Sequence, residues 1–226
     1  MRGLFVTGTD TGVGKTAVSC AIAAHARAHD VPLAVMKPAE TGCSDQAPED
    51  ALALRDAAGS TDPLDLVCPY RLPEPLAPAV AARRAGRTLS LAHVVDCARK
   101  LAEKRPLLAE GAGGLLVPFT ERETNADLMA ALGLPVLVVA RAGLGTINHT
   151  ALTVEALRLR KLEVRAVVLN ATSEPDLSAQ DNASEIARLT GAQVFGPLAF
   201  IADPRARRDQ LFRSAGGKID PLIWLA

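Results

Sequence analysis

Leu4-Phe5-Val6-Thr7-Gly8-Thr9-Asp10-Thr11-Gly12-Val13-Gly14-Lys15-Thr16 decides the fold: a short apolar strand runs into a glycine-rich loop, and an Ala-rich helix follows at once. Glycines let such a loop curl until several backbone N–H groups aim at one point, and the new helix adds its positive end there. That is a pocket for a polyphosphate. Lys15 is placed to reach the outer phosphates and the Thr16 hydroxyl to hold Mg²⁺. The common spacing is G-x-x-x-x-G-K-S/T; here the leading glycine is Gly8, one residue earlier, so the loop is slightly longer. Strand, glycines and helix together, rather than the Gly-Lys-Thr alone, predict a site for ATP or GTP.

From there the alternation continues. Leu4–Thr7, Leu33–Met36, Leu107–Ala109, Val136–Ala140, Val164–Asn170 and Gln193–Phe195 read as short buried strands rich in Val, Leu and Ala. Helical stretches lie between them at about 15–29, 49–58, 90–104, 124–132, 147–161 and 178–189, with Ser90, Thr124 and Ser178 as N-caps. Strands separated by helices pair in parallel, so the fold predicted is α/β. It is a doubly wound, mostly parallel sheet with helices on both faces, P-loop NTPase-like, in a single domain over 1–226. Only 59–88 breaks the rhythm: five prolines crowd Pro63 to Pro78, yet apolar residues continue, which predicts an ordered excursion over the active edge.

Composition narrows the classes. The 226 residues suit one α/β domain, and 49% hydrophobic residues fill a sizeable core. Lys plus Arg and Asp plus Glu number 25 each, so nothing electrostatic argues for nucleic acid or an anionic membrane. The four cysteines, Cys20, Cys43, Cys68 and Cys97, are scattered without metal-ligand spacing, as reduced thiols of a cytoplasmic enzyme would be. A core strand begins almost at Met1, so no signal peptide is expected, and the apolar run Pro135–Ala140 is too short to span a bilayer.

In open α/β sheets ligands bind beyond the carboxyl ends of the strands. Gly8, Lys37, Glu110, the stretch 142–146 and Asn170 each close or follow a different strand, so the fold should gather them on one edge. Lys37 precedes Pro38, which keeps it extended; its ammonium suits developing negative charge. Asp50 opens a helix, where it is either a functional carboxylate or simply a favourable first-turn one. Glu110, placed between Leu107-Leu-Ala and Gly111-Ala-Gly-Gly114, would join Thr16 and Asp50 as the hard oxygen ligands that Mg²⁺ requires. Leu144-Gly145-Thr146-Ile147-Asn148-His149 is a second strand-to-helix turn whose N–H groups suit a carboxylate, or serve only as a cap. His149 is read as packing rather than catalysis. Asn170 is either a base-reading amide or a turn residue.

Five of these stretches stand in the order and spacing of one family. Gly8–Thr16, Lys37-Pro-Ala-Glu-Thr-Gly42, Glu49-Asp-Ala-Leu-Ala-Leu54, Glu110–Gly114 and Leu144–His149, with Glu74-Pro-Leu-Ala-Pro78, resemble the dethiobiotin synthetases from residue 3 to about 201. The resemblance implies a ligase, a cyclo-ligase forming C–N bonds, that builds the ureido ring of dethiobiotin from 7,8-diaminopelargonic acid, CO₂ (or bicarbonate) and ATP with Mg²⁺. That is the penultimate step of biotin synthesis, and the family implies a homodimer. It further implies nucleotide contacts from Gly12, Val13, Gly14, Lys15, Thr16, Ala17, Asp50, Glu110, Gly111, Ala112 and Gly113. For the purine it implies Asn170, Ala171, Ala199, Phe200 and Ile201. Lys15 and Lys37 would be catalytic, and Thr16, Asp50 and Glu110 would ligate the metal. Thr11, Lys37 and Thr41 would lie at the diamine end, while Leu144, Gly145, Thr146 and Asn148 of the partner subunit would take the distant carboxylate. Two departures stand out: Gly12 replaces a glutamate of some members, and Pro197–Ile201 with the Arg205–Arg213 tail matches poorly.

Rival classes are disfavoured by what is missing. A GTP switch needs Asn/Thr-Lys-x-Asp, but Asn170 is followed by Ala-Thr-Ser; a partition-type ATPase wants a lysine where Asp10 stands. A corrinoid-type amidoligase would carry a glutaminase domain, for which there is no spare length.

Overall fold

The structure, a computed structural model, describes residues 1–174, 176–201 and 220–225; the Arg205–Arg213 tail lies outside the described residues. β1 (Gly3–Gly8), α1 (Lys15–Ala28) and β2 (Ala34–Met36) make the first crossover. β3 (Ala39–Thr41), α2 (Glu49–Ala58), α3 (Leu64–Val67), β4 (Tyr70–Leu72) and α4 (Pro78–Arg84) follow as a side excursion. Alternation then resumes with α5 (Leu91–Leu101), β5 (Leu107–Gly114), α6 (Asn125–Leu132) and β6 (Val136–Arg141). It ends with α7 (Thr146–Leu159), β7 (Val164–Asn170), α8 (Asn182–Thr190) and β8 (Val194–Leu198).

The main sheet runs β2-β5-β1-β6-β7-β8, and every pairing in it is parallel. From β1 the chain first winds toward β2 and later toward β8. Right-handed crossovers on the two sides therefore cover opposite faces of the sheet, the doubly wound arrangement the sequence predicted. The middle strands are buried through most of their length: Leu4, Phe5 and Val6, Leu107 and Leu108, and Val136 to Ala140 are all fully covered. Burial on both faces is why they read as continuous apolar runs rather than alternating ones. No helix among the described residues is long and apolar enough to cross a membrane.

Three local expectations change. The excursion contains a separate two-stranded parallel sheet, β3 against β4, whose three-residue strands are too short to show a period. The stretch 178–189 is not one helix capped by Ser178. Asp176 caps a 3-10 turn over Leu177–Gln180, accepting the Ser178 N–H at 2.9 Å, and α8 starts only at Asn182. Glu110 does not end its strand either. It pairs with Val6, and β5 then bulges and runs on until Gly114 meets Gly8, which the intervening glycines permit. The other two caps form as read. Ser90 accepts from the His93 N–H, and Thr124 and Asp127 make a reciprocal capping box.

Candidate functional site

The strand order fixes a sequence of groups along the carboxyl edge of the sheet. It runs from Lys37 after β2 through Glu110 on β5 and the loop after β1 to the turn after β6, then Asn170 ending β7 and 199–201 after β8. The glycine loop occupies the middle. Gly14 sits at φ +95° as the N-cap of α1, and a Cβ there would meet the Asn170 amide at 2.1 Å. Only glycine fits both constraints. Asn170, 4% exposed, donates its amide to the Val13 carbonyl at 3.0 Å and so braces the loop from behind. Lys15 is buried, with its ammonium on the Asp10 carbonyl at 2.9 Å. Burial drives its pKa down to about 8, against the pull of Glu110. Thr11 and Gly12 lie exposed at the loop tip, and Thr16 and Ala17 are half-buried on the first turn of α1.

Beside the loop lies a knot of charge. The Lys37 ammonium, 4% exposed, donates to Asp50 Oδ2 at 2.7 Å and to Glu110 Oε1 at 2.5 Å. The Thr16 hydroxyl donates to the same Glu110 oxygen at 2.8 Å. Burial opposes the charge on Lys37, but Glu110 and Asp50 outweigh it and hold the pKa above the ordinary lysine value. For Asp50, burial likewise works against ionisation, and Lys37 and Thr16 overcome it, leaving the carboxyl below its usual range. An ammonium that stays protonated and desolvated next to a phosphate cradle can meet charge developing on a transferred phosphoryl group.

The donor set fits Mg²⁺. Glu110 is fully buried, and its Oε2 has no hydrogen-bond partner among the described residues; such an orphan acceptor is open to a cation or a water. No group of three or more His, Cys, Asp or Glu side chains capable of holding a metal occurs among the described residues. Mg²⁺ does not need one, because it keeps waters and substrate phosphate oxygens and takes only one or two carboxylates from the protein. Thr16, Asp50 and Glu110 could supply that share.

The turn before α7 is different in kind. Leu144 is 81% exposed and Asn148 is exposed, whereas Thr146 is fully buried with its hydroxyl 3.4 Å from that of Thr150. Two of its N–H groups are engaged: that of Leu144 by Asp176 Oδ2 at 3.0 Å, and that of Thr146 by the Gly143 carbonyl at 3.3 Å. His149, inside α7 as read, has its Nδ1 3.2 Å from an Arg141 Nη2. At the far end, Ala171 donates its N–H to the Leu198 carbonyl at 3.0 Å, Ala199 and Phe200 are exposed, and Ile201 is half-buried. Gly111 is buried, Ala112 and Gly113 half-buried, and Gly113 is at φ +71° in the bulge of β5. Thr41 closes β3, half-buried.

Comparison with known proteins places the whole chain in a family. An ATP-dependent dethiobiotin synthetase BioD of Anaeromyxobacter dehalogenans (strain 2CP-C) is 60% identical over 221 residues, covering 97% of this chain and 99% of the relative. One from Saccharopolyspora erythraea is 45% identical over 92% of this chain and 93% of its own length. A Bacillus cereus protein of that name is 40% identical, over 93% and 88%. The chain belongs to the dethiobiotin synthetase family. A family model described as an AAA domain also matches residues 2–206. Among solved structures, a ParA family ATPase from Chlorobium tepidum TLS is similar in fold, with TM-score 0.57 at 12% identity over 99% of this chain and 96% of that one. A chain of the MinC:MinD cell division protein complex from Aquifex aeolicus gives 0.56 at 12% identity, over 97% and 98%. At such low identity the likeness extends to the fold alone.

One residue of this dethiobiotin synthetase edge was assigned no role from the sequence. Glu40, 6% exposed on β3, accepts the N–H of Asp50 at 3.0 Å and of Ala51 at 2.9 Å, one on each carboxylate oxygen. Burial raises its pKa, against those two bonds. A signal for it existed: the N-cap of α2 is Pro48, which has no side-chain acceptor, so its first-turn N–H groups needed one from elsewhere. A cleft of about 480 Å³ at 79–89 and 120–123 is lined by Arg83, Arg87 and Glu121 among others; Arg83 is ion-paired with Glu121 on the surface.

Proposed function

We propose that this chain closes the ureido ring of dethiobiotin from 7,8-diaminopelargonic acid, CO₂ and ATP, the ATP-dependent ligase reaction of its family in biotin biosynthesis. The observation that carries the reading is the Lys37 ammonium, buried between Asp50 at 2.7 Å and Glu110 at 2.5 Å and one hydroxyl away from the phosphate loop.

One amine of the substrate attacks CO₂, forming an N–C bond and losing a proton to give a carbamate. A carbamate oxygen leaves poorly, so it first attacks the γ-phosphorus of ATP, and ADP departs with its electron pair. The second amine then attacks the carbonyl carbon of the mixed anhydride, the C–O bond to phosphate breaks, and a five-membered ring closes. None of these steps needs a covalent bond to the protein, so the residues act by positioning and charge. The N–H groups of Gly12 to Ala17 and the Lys15 ammonium hold the triphosphate. Lys37 stabilises the carbamate and the oxygens of the phosphoryl group in flight. Thr16, Asp50 and Glu110 hold Mg²⁺, which when bound offsets the phosphate charge. Thr11 and Thr41 flank the amines, and Gly111 to Gly113 run beside the phosphates. Asn170, Ala171 and Ala199 to Ile201 line the purine. In this arrangement Asn170 serves the loop and the base together.

The carboxylate end rests on Leu144, Gly145, Thr146 and Asn148 of a partner subunit in a homodimer. Support comes from spacing: the turn before α7 follows β6, three places from β2, or roughly 14 Å along the sheet at about 4.8 Å per strand. Its exposed Leu144 and Asn148 are free to face another copy. The reduced cysteines and balanced charge suit a cytoplasmic enzyme with neither nucleic acid nor membrane as partner. Incubation with Mg·ATP, bicarbonate and the diamine, read by mass spectrometry, should give the mass of dethiobiotin with diamine-dependent phosphate release. ATP hydrolysis indifferent to the diamine would refute the reading.

A further inference from the structure

We propose that Glu40 is a positioning residue: from the small β3–β4 sheet it clamps the first turn of α2 and thereby holds Asp50 against Lys37. The proposal rests on the reading of Asp50 as a phosphate-side ligand, and the clamp itself stands on geometry.

A helix begins with unsatisfied N–H groups, and the residue before it usually supplies the acceptor. In α2 that residue is Pro48, which makes no side-chain cap. Both acceptors come instead from one carboxylate ten residues upstream, Oε1 to Asp50 and Oε2 to Ala51. The negative group also lies at the positive end of the helix. Asp50 needs the help. Its side chain is 42% exposed and leans on Lys37 at 2.7 Å; a helix end that frays would let it swing to water. Glu40 does not fray in the same way. It is a strand residue in register with Arg71 and 6% exposed, and the backbone on either side is tied down, since Lys37 N–H donates to the Val67 carbonyl at 2.7 Å and Cys43 N–H to the Leu72 carbonyl at 3.1 Å. Lys37 and Glu40 thus approach Asp50 from one short segment, one through its carboxylate and one through its backbone. The excursion that interrupts the main sheet thereby gains a purpose, since it carries the fixed point against which the ligand is set.

The test compares Glu40→Ala and Glu40→Gln with the unaltered protein, in two measurements. Hydrogen exchange at the Asp50 and Ala51 amides, in protein without nucleotide, should accelerate about tenfold in Glu40→Ala, the local equivalent of a lost cap. The increase should be smaller in Glu40→Gln, whose one remaining oxygen still accepts. In turnover, Glu40→Ala should lower kcat and raise the Mg²⁺ concentration for half-maximal rate. The same change made on an Asp50→Asn background should add little, because its route to the chemistry is already cut. Exchange unchanged at both amides would overturn the clamp. So would kinetic losses that multiply in the double variant, which mark a general structural role. Should Glu40→Ala fail to fold, Glu40→Gln carries both measurements. Exchange needs no reaction, so a chain that clamps α2 yet makes no dethiobiotin would refute the function and leave the clamp standing.

Discussion

The Lys37 end of the edge and the turn before α7 both present polar groups at the carboxyl side of a strand, yet they are finished to different degrees. At Lys37 the ammonium and the fully covered Glu110 are buried, and the partly exposed Asp50 is bonded to that ammonium and held from its backbone. At the turn, Leu144 is 81% exposed and Asn148 open to solvent. The first is a site preorganised within one chain, which is what stabilisation of a transient charge demands. The second is a surface awaiting something, which is enough for holding a distant carboxylate in the ground state. On the proposed function, chemistry would be concentrated where reorganisation is smallest, and recognition where an exposed turn could meet another copy of the chain.

Changes at the closed end should therefore cost the most. Lys15→Ala should abolish ATP turnover; an unchanged ATP affinity and rate would break the phosphate-loop assignment. Lys37→Ala should cut kcat by about 10²–10³, the scale of removing one preorganised charge-stabilising group. It should also lower the thermal midpoint, because the buried Glu110 would lose its ion pair and keep, among the described residues, the hydrogen bond from Thr16. Normal turnover would demote Lys37 to a structural lysine.

At the open end, Asn148→Ala should raise the KM for the diamine roughly tenfold, as for a lost bond to a charged group, with the KM for ATP little altered. The reverse order would remove the carboxylate site. Mixing chains sharpens the contrast further. Lys37→Ala and Asn148→Ala subunits, each impaired, should regain activity when allowed to exchange, since one of the two sites in a mixed dimer would have neither defect. No recovery would put both halves of the site in one chain.

The smallest effect concerns thiols of the excursion. Burial pushes Cys68 up to about 12, and Cys43, half-buried, is raised as well. Iodoacetamide at pH 8 should label Cys43 before Cys68, because both thiols stay largely protonated and access decides the order. Equal rates would mean that the β3–β4 sheet opens as a unit.

The same division governs what the sequence reveals. Periodic and punctuated elements are legible: the six strands, Ser90 and Thr124 as caps, and the group Lys37, Asp50 and Glu110, which the fold brings together. Elements whose signal is long-range are not. β3 and β4 pair with each other across 28 residues, and no three-residue strand announces a partner. Asp176, rather than Ser178, is the N-cap there, of a 3-10 turn that precedes α8. Glu40 satisfies a helix that begins nine residues later. Asn170 illustrates the remainder: either of its two sequence readings is compatible with a strand end, and only the fold shows its amide on the Val13 carbonyl. Local chemistry can be read along the chain; the supports beneath it depend on tertiary neighbours.

The most direct test of carbamate phosphorylation at the Lys37 end uses CO₂ labelled with ¹⁸O, supplied for a brief incubation with Mg·ATP and the diamine. One labelled oxygen should pass to phosphate, and one should remain in the ureido carbonyl of each product molecule. Dethiobiotin formed with unlabelled phosphate would contradict it, since the γ-phosphoryl group would then have gone to water rather than to the carbamate.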